Sequence, residues 1–117
     1  MTEQAVEWAP FRLRADVAEA ELLAASAAMQ AGFLAGQKGF LRRDLLRRDD
    51  RHFVDLVWWE SHDAAAAAMQ AAGGSSHCAA YFGLMQFDAP AGEKAGMDPA
   101  GAGVLHLARL ATYGAQT

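Results

Sequence analysis

A chain of 117 residues with a formal net charge of −4 is one domain long, and a domain of that size buries roughly two-thirds of the surface its unfolded chain exposes. The acidic balance excludes a basic stripe for nucleic acid: the cluster of Arg42, Arg43, Arg47 and Arg48 is answered by Asp44, Asp49, Asp50 and Asp55. The lone Cys78 excludes a disulfide framework, Met1-Thr2-Glu3-Gln4 has neither the basic start nor the apolar stretch of a signal peptide, and no apolar run is long enough for a bilayer, so a cytoplasmic protein is expected.

The first element is a strand from Ala5 to Leu13, with Val6, Trp8, Phe11 and Leu13 as its large apolar residues. Pro10 has no N–H to donate, which predicts an edge strand or a bulge there. Asp16 followed by Glu19 resembles a capping box. The helix after it carries Leu22, Ser26, Met29 and Phe33 at helical spacing, a core-facing stripe. Gly36 and Gly39 end the helical run and release the chain into a second strand.

Two strands then meet at Asp49-Asp50. A two-residue loop there, or a four-residue loop from Arg48 to Arg51, sets Leu46 opposite Phe53, Asp44 opposite Asp55, Arg42 opposite Val57 and Phe40 opposite Trp59, all on one face. The other face reads as the more apolar in its middle, so Leu41, Leu45, Val54, Leu56 and Trp58 are expected beneath the helices. A three-residue loop would move the register by one and dissolve the Asp44–Asp55 pairing.

Ser61 is a good N-cap for a helix from His62 to Ala72, whose alanines give high helix propensity and a thin profile suited to lying close on a sheet. Gly73-Gly74 ends it. Ser75 or Ser76 caps a short further helix holding His77, Tyr81, Phe82 and Met85. Residues 89–103 are rich in alanine, glycine and proline and read as a long loop. A last strand from Val104 to Tyr113 puts His106 and Arg109 on opposite faces. The order βαββαβ over residues 1–117 predicts one ferredoxin-like α+β domain with an antiparallel sheet.

The Gly39-Phe40 start of the second strand, the hairpin, and the Val57-Trp58-Trp59-Glu60-Ser61 strand-to-helix junction resemble the antibiotic biosynthesis monooxygenase-like group of dimeric α+β barrel proteins. The resemblance implies a homodimer in which two ferredoxin-like subunits pack their sheets face to face. It also implies a ligand between helices and sheet or near the barrel mouth. The group's haem-degrading members use a first-strand asparagine, a second-helix tryptophan and an axial histidine. Here Glu7 falls near the first position, Ala68 at the second, and only His77, with Cys78 beside it, near the third, so haem degradation is not expected. Its cofactor-free quinol oxygenases deprotonate an aromatic alcohol so that the anion can pass an electron to oxygen. This chain contains no asparagine, so any role that residue has in those enzymes falls to other groups.

Three constellations could carry chemistry. Paired carboxylates at Asp44 and Asp55 would repel until one held a proton, as an acid or base requires; in the simpler reading Arg42 bridges both and fixes the sheet or the dimer. His77 with Tyr81, one helical turn apart, could take a phenolic proton and orient a substrate, or could belong to a short helix packed on the barrel rim with His77 in solvent. His106 is a third candidate base, or a core or interface histidine. His52 and His62 read as exposed. No histidine spacing or carboxylate motif fits a metal, and Gly73-Gly74 lacks the lysine of a phosphate cradle. No cofactor is expected.

The expected catalytic residues are therefore His77, His106 and Asp55, with Trp59, Tyr81, Arg42 and Asp44 as substrate contacts. The expected activity is cofactor-independent and monooxygenase-like, on a small aromatic or quinol-like molecule. The alternative is a non-catalytic, small-molecule-binding or structural homodimer.

Overall fold

The computed structural model describes residues 3–86 and 104–115. Its elements are β1 (Ala5–Leu13), α1 (Glu19–Gly32), β2 (Phe40–Arg47), β3 (His52–Trp59), α2 (His62–Ala72), α3 (Ser76–Phe82), β4 (Met85–Gln86) and β5 (Leu105–Ala108), with a single 3-10 turn at Leu34–Gly36. The antiparallel sheet runs β2-β3-β1-β4, and β5 pairs with β1 on the edge that β4 also uses. This is the ferredoxin-like order expected for βαββαβ, with the last strand in two pieces. β4 pairs with Arg12 and Leu13, and β5 with Ala5 to Trp8. The loop expected over residues 89–103 lies outside the described residues. The last strand is shorter than expected: it ends at Ala108, and Arg109 is tied instead to Gln4 and Thr112.

Alternation along each strand assigns the two faces of the sheet. Ala5, Phe11 and Leu13 of β1 and Phe53, Asp55, Val57 and Trp59 of β3 are buried beneath the helices. Val6, Trp8, Pro10 and Arg12, with His52, Val54, Leu56 and Trp58, lie on the outer face and are only partly covered. The expected assignment of Val54, Leu56 and Trp58 to the helix side is thus reversed. On β2 the helix side carries Arg43 and Leu45, and Leu41 is exposed.

The hairpin explains the reversal. Arg47 pairs with Phe53 and Arg48 N–H donates to the His52 carbonyl, so three residues, Asp49 to Arg51, form the loop. One Asp49 carboxylate oxygen accepts from the backbone N–H groups of Arg51 and His52 at 3.0 and 2.9 Å, and also lies 2.9 Å from His52 Nδ1. These bonds, led by the Arg51 N–H, hold the Asp49 carboxyl down to about 2 and fix the turn. The register therefore sums one higher than expected: Leu45 faces Asp55, Asp44 faces Leu56 and Arg42 faces Trp58. The Asp44–Asp55 pairing does not exist. Among the described residues Arg42 bridges no carboxylate pair either; it holds Asp44, 2.9 Å away on its own strand, and lies over the Trp58 ring.

Pro10 sits in a central strand with unbroken register to β3, contrary to the expected edge or bulge. Leu13 N–H points to β3 and Arg14 N–H to the β4 side, so by alternation the Pro10 nitrogen faces the β4/β5 edge. Among the described residues, that edge pairs nothing opposite Ala9, Pro10 or Phe11. Among the described residues the missing donor costs no ladder bond.

Helix starts follow local chemistry with one correction. α1 begins at Glu19 behind Ala18, whose N–H donates to Glu21 Oε1 at 3.3 Å; Asp16 does not cap it but pairs with Arg14. The stripe Leu22, Ser26, Met29 and Phe33 is buried as expected. Ser61 Oγ caps α2 through Ala64 N–H and Ser75 Oγ caps α3 through Cys78 N–H. α3 stops at Phe82, so Met85 belongs to β4 and not to the helix. Gly39 has φ +85, and a Cβ there would lie 2.6 Å from the Ala64 Cβ; only glycine lets α2 come this close to the start of β2.

Candidate active site

Between the helices and the sheet lies a cavity of about 500 Å³, a size that suits a small organic ligand. Its wall is mainly apolar, with Phe11, Met29, Phe33, Val57 and Met85 among the contributors. Three charged side chains interrupt it: Glu7, Arg43 and Asp55. Cys78 also reaches it from α3, and its thiol is buried.

Asp55 is the centre of the first polar cluster. Its register position opposite Leu45 and Ala9 turns it beneath the helices, where a carboxylate needs partners. Arg43 supplies them: Nε and Nη2 lie 3.0 and 2.9 Å from Asp55 Oδ1, with the two side chains only 6% and 9% exposed. The Tyr81 hydroxyl donates to Asp55 Oδ2 at 2.6 Å. The Arg43 guanidinium also lies over the Tyr81 ring and reaches the Ser26 carbonyl on α1. Burial pushes the Asp55 carboxyl up, and the Arg43 charge and the Tyr81 hydroxyl pull it back. Burial, reinforced by the Asp55 charge, drives the Tyr81 hydroxyl far above its ordinary value, so it remains a donor. With both Asp55 oxygens engaged, this cluster ties β2, β3, α1 and α3 together and holds one wall of the cavity.

The second cluster centres on Glu7. On β1 it faces the cavity between Ala5 and Ala9, a diagonal neighbour of both Asp55 and Trp59 across β3. Directly opposite on β5 is His106, whose Nε2 is 3.6 Å from Glu7 Oε1. The Trp59 indole N–H is buried and makes no hydrogen bond among the described residues, yet lies near enough to favour the Glu7 anion. Burial is the largest influence and raises the Glu7 carboxyl; His106 draws it down and the Asp55 charge pushes it up again. Unlike Asp55, Glu7 has no guanidinium or hydroxyl closing it off among the described residues. A carboxylate that is partly desolvated and stands on a cavity wall is chemically suited to take a proton from a bound ligand.

Of the residues expected from the sequence, Asp55 and Trp59 line the cavity, while Tyr81 is hydrogen-bonded to Asp55 and His106 lies beside Glu7. His77 lies outside it: exposed on α3, its ring fills the space over Gly32 of α1, where a Cβ would come 2.4 Å from Nε2. Arg42 and Asp44 lie on the outer face of the sheet, away from the cavity. Sequence reasoning missed Glu7 and Arg43 as members of the site. Glu7 had a legible signal, an acidic residue in phase with Ala5, Phe11 and Leu13 on the core side of β1. Arg43 had none without the register. Among the described residues no group of three His, Cys, Asp or Glu side chains could hold a metal ion, and no helix is long and apolar enough to cross a membrane.

The family model described as antibiotic biosynthesis monooxygenase matches residues 9–83. Among solved structures, SnoaB, a cofactor-independent oxygenase from Streptomyces nogalater, is similar with a TM-score of 0.65 and 24% identity, over 97% of each chain. A proposed antibiotic biosynthesis monooxygenase from Bordetella bronchiseptica gives a TM-score of 0.69 at 16% identity, over 94% of this chain and 100% of that one. A further such protein from Caulobacter crescentus gives 0.63 at 19%, over 94% and 92%. No curated protein sequence matches the chain.

Proposed function

Because the chain belongs to the antibiotic biosynthesis monooxygenase family, we propose that it is a cofactor-independent oxygenase that binds a small aromatic, quinol-like molecule in the cavity and deprotonates it with Glu7. The observation that carries this reading is the half-buried Glu7 carboxylate, which faces a mainly apolar cavity of about 500 Å³ and has His106 3.6 Å away. The likeness to a cofactor-independent oxygenase supports it. Asp55, fixed by Arg43 and Tyr81, is a positioning residue, and Trp59 supplies an aromatic surface beside the base.

The steps balance with molecular oxygen as the oxidant. Glu7 takes a proton from the substrate hydroxyl or its keto tautomer, leaving a carbanion–enolate that passes one electron to oxygen. The substrate radical and superoxide join in a C–O bond. The resulting peroxide takes the proton back through Glu7, and its O–O bond breaks as the ring C–H becomes a carbonyl and water leaves. An apolar wall keeps bulk water from quenching the anion.

Oxygen uptake with polycyclic phenols tests this, alongside ligand binding followed by tryptophan fluorescence. Glu7→Gln is expected to lower turnover by about 10²–10⁴ with binding within a few-fold, the usual worth of a positioned base. Equal turnover in Glu7→Gln overturns the role of Glu7. Tight binding with no oxygen uptake by the unaltered protein overturns the enzyme reading in favour of a binding module.

The outer sheet face supports a homodimer as part of the same reading. Trp8, Leu105 and Leu107 lie there with 37%, 43% and 46% of their surface exposed, next to Leu56 and Trp58. A contiguous apolar face of this kind fits a second copy of the chain better than solvent. Sedimentation of the protein and of Leu107→Glu tests it: a dimer that the charge dissociates supports the reading, and a monomer at micromolar concentration overturns it.

A further inference from the structure

We propose that His106 stores the abstracted proton, taking it from Glu7 while the bound anion meets oxygen and returning it by the same path. The inference rests on Glu7 being the base. It answers a problem that the chemistry creates. Transfer of an electron to triplet oxygen is slow, and a proton left on Glu7 sits beside the anion it came from, so recombination competes with oxidation. A second acceptor one step further away removes that competition.

Among the described residues the structure offers one such acceptor. His106 is the direct cross-strand partner of Glu7, so the pleat sends both side chains to the same side of the sheet. Nε2 lies 3.6 Å from Glu7 Oε1, beyond the usual hydrogen-bond distance of about 2.9 Å, so transfer needs the two side chains to draw together. Glu7 is among the residues that line the cavity, and the imidazole stands beside it on the next strand, on the same face of the sheet. Among the described residues, the other groups around Glu7 cannot take a proton from it. From β3, the Trp59 N–H is only a donor and Asp55 has both oxygens engaged by Arg43 and Tyr81. From β2, Arg43 is permanently charged. From α2 the cavity receives Ala68, Met69 and Ala72, and from α3 Cys78 and Phe82, none of them a proton acceptor in its neutral form. Imidazole, which ionises near neutral pH, is the side chain suited to hold a proton briefly and give it back.

The test uses 4-nitro-1-naphthol as a cavity probe, because its anion absorbs in the visible and it reports ionisation without oxygen chemistry. Bound to the unaltered protein it is expected to ionise at lower pH than in water. His106→Gln keeps the size and a donor but cannot store a proton. It is expected to shift the midpoint of the bound probe upward by about one unit, a tenfold smaller anion fraction below the midpoint, with Kd for the neutral probe unchanged. His106→Ala should match His106→Gln. If His106→Gln ionises the probe like the unaltered protein while Glu7→Gln does not, proton storage is refuted and Glu7 stands as base. If Glu7→Gln also leaves ionisation unchanged, or the unaltered protein binds no probe, both readings fall.

Discussion

Replacing Arg43 by methionine gives the strongest test of how the cavity wall is held. The substitution keeps the apolar stem and removes the guanidinium that sits 2.9–3.0 Å from Asp55. Both side chains are more than nine-tenths covered, so the loss falls in the class of a buried pair broken from one side, about 3–5 kcal/mol. At roughly 4 °C per kcal/mol for a domain of this size, that is a fall in Tm of about 12–20 °C at pH 7. The effect should depend on pH with a definite sign. The remaining Tyr81 hydroxyl cannot neutralise Asp55, whose carboxyl, already raised by burial, loses the charge that opposed the rise. Its folded pKa therefore rises further above its unfolded value, and the destabilisation is largest above that pKa and shrinks as acid supplies a proton. Urea unfolding followed by far-ultraviolet circular dichroism from pH 4 to 8 measures it. A cost below about 1 kcal/mol at pH 7, or one independent of pH, would refute the buried-pair argument.

Glu7→Gln should stabilise the fold at neutral pH. A carboxyl whose folded pKa lies above its unfolded value is most favourable to folding below the ordinary carboxyl range, and that contribution is lost as pH rises through the raised value. The gain from glutamine should accordingly appear on going from acid to neutral pH in the same unfolding series, and a flat difference would show that Glu7 is not desolvated. Gly39→Ala combines a left-handed backbone with a Cβ 2.6 Å from Ala64 and should cost about 1–3 kcal/mol, read as a loss of urea midpoint; a neutral result would mean that α2 is free to move away from β2.

Much of the fold was legible because it depends on short-range chemistry. β1 and α2 have the expected bounds, and the Ser61 cap and the α1 stripe were set by a few adjacent residues. The hairpin register was not legible, because one side chain decided it. Asp49 folds back on Arg51 and His52, making the loop three residues long. Nor could hydrophobicity arbitrate between the faces. Leu56 and Trp58 look outward and Val57 and Trp59 inward, and all four are apolar. The candidate site inherited that ambiguity: Asp55, Trp59, Tyr81 and His106 were found as types, but their grouping needed the register, which joins Asp55 to Arg43 instead of Asp44.

Pro10 has a consequence for how the molecule comes apart. With its nitrogen facing the β4/β5 edge and no pairing there among the described residues, it divides that edge into two hydrogen-bonded patches that do not share a ladder. Opening can start in the β5 patch and stop at the proline, because among the described residues no ladder bond carries the disruption on to β4. Amide exchange in β5 is then decoupled from exchange in β3. The two polar clusters thus belong to parts of different tenacity: Asp55, Arg43 and Tyr81 to the part that opens last, and His106 to a four-residue strip that can peel away and re-anneal while the rest stays folded.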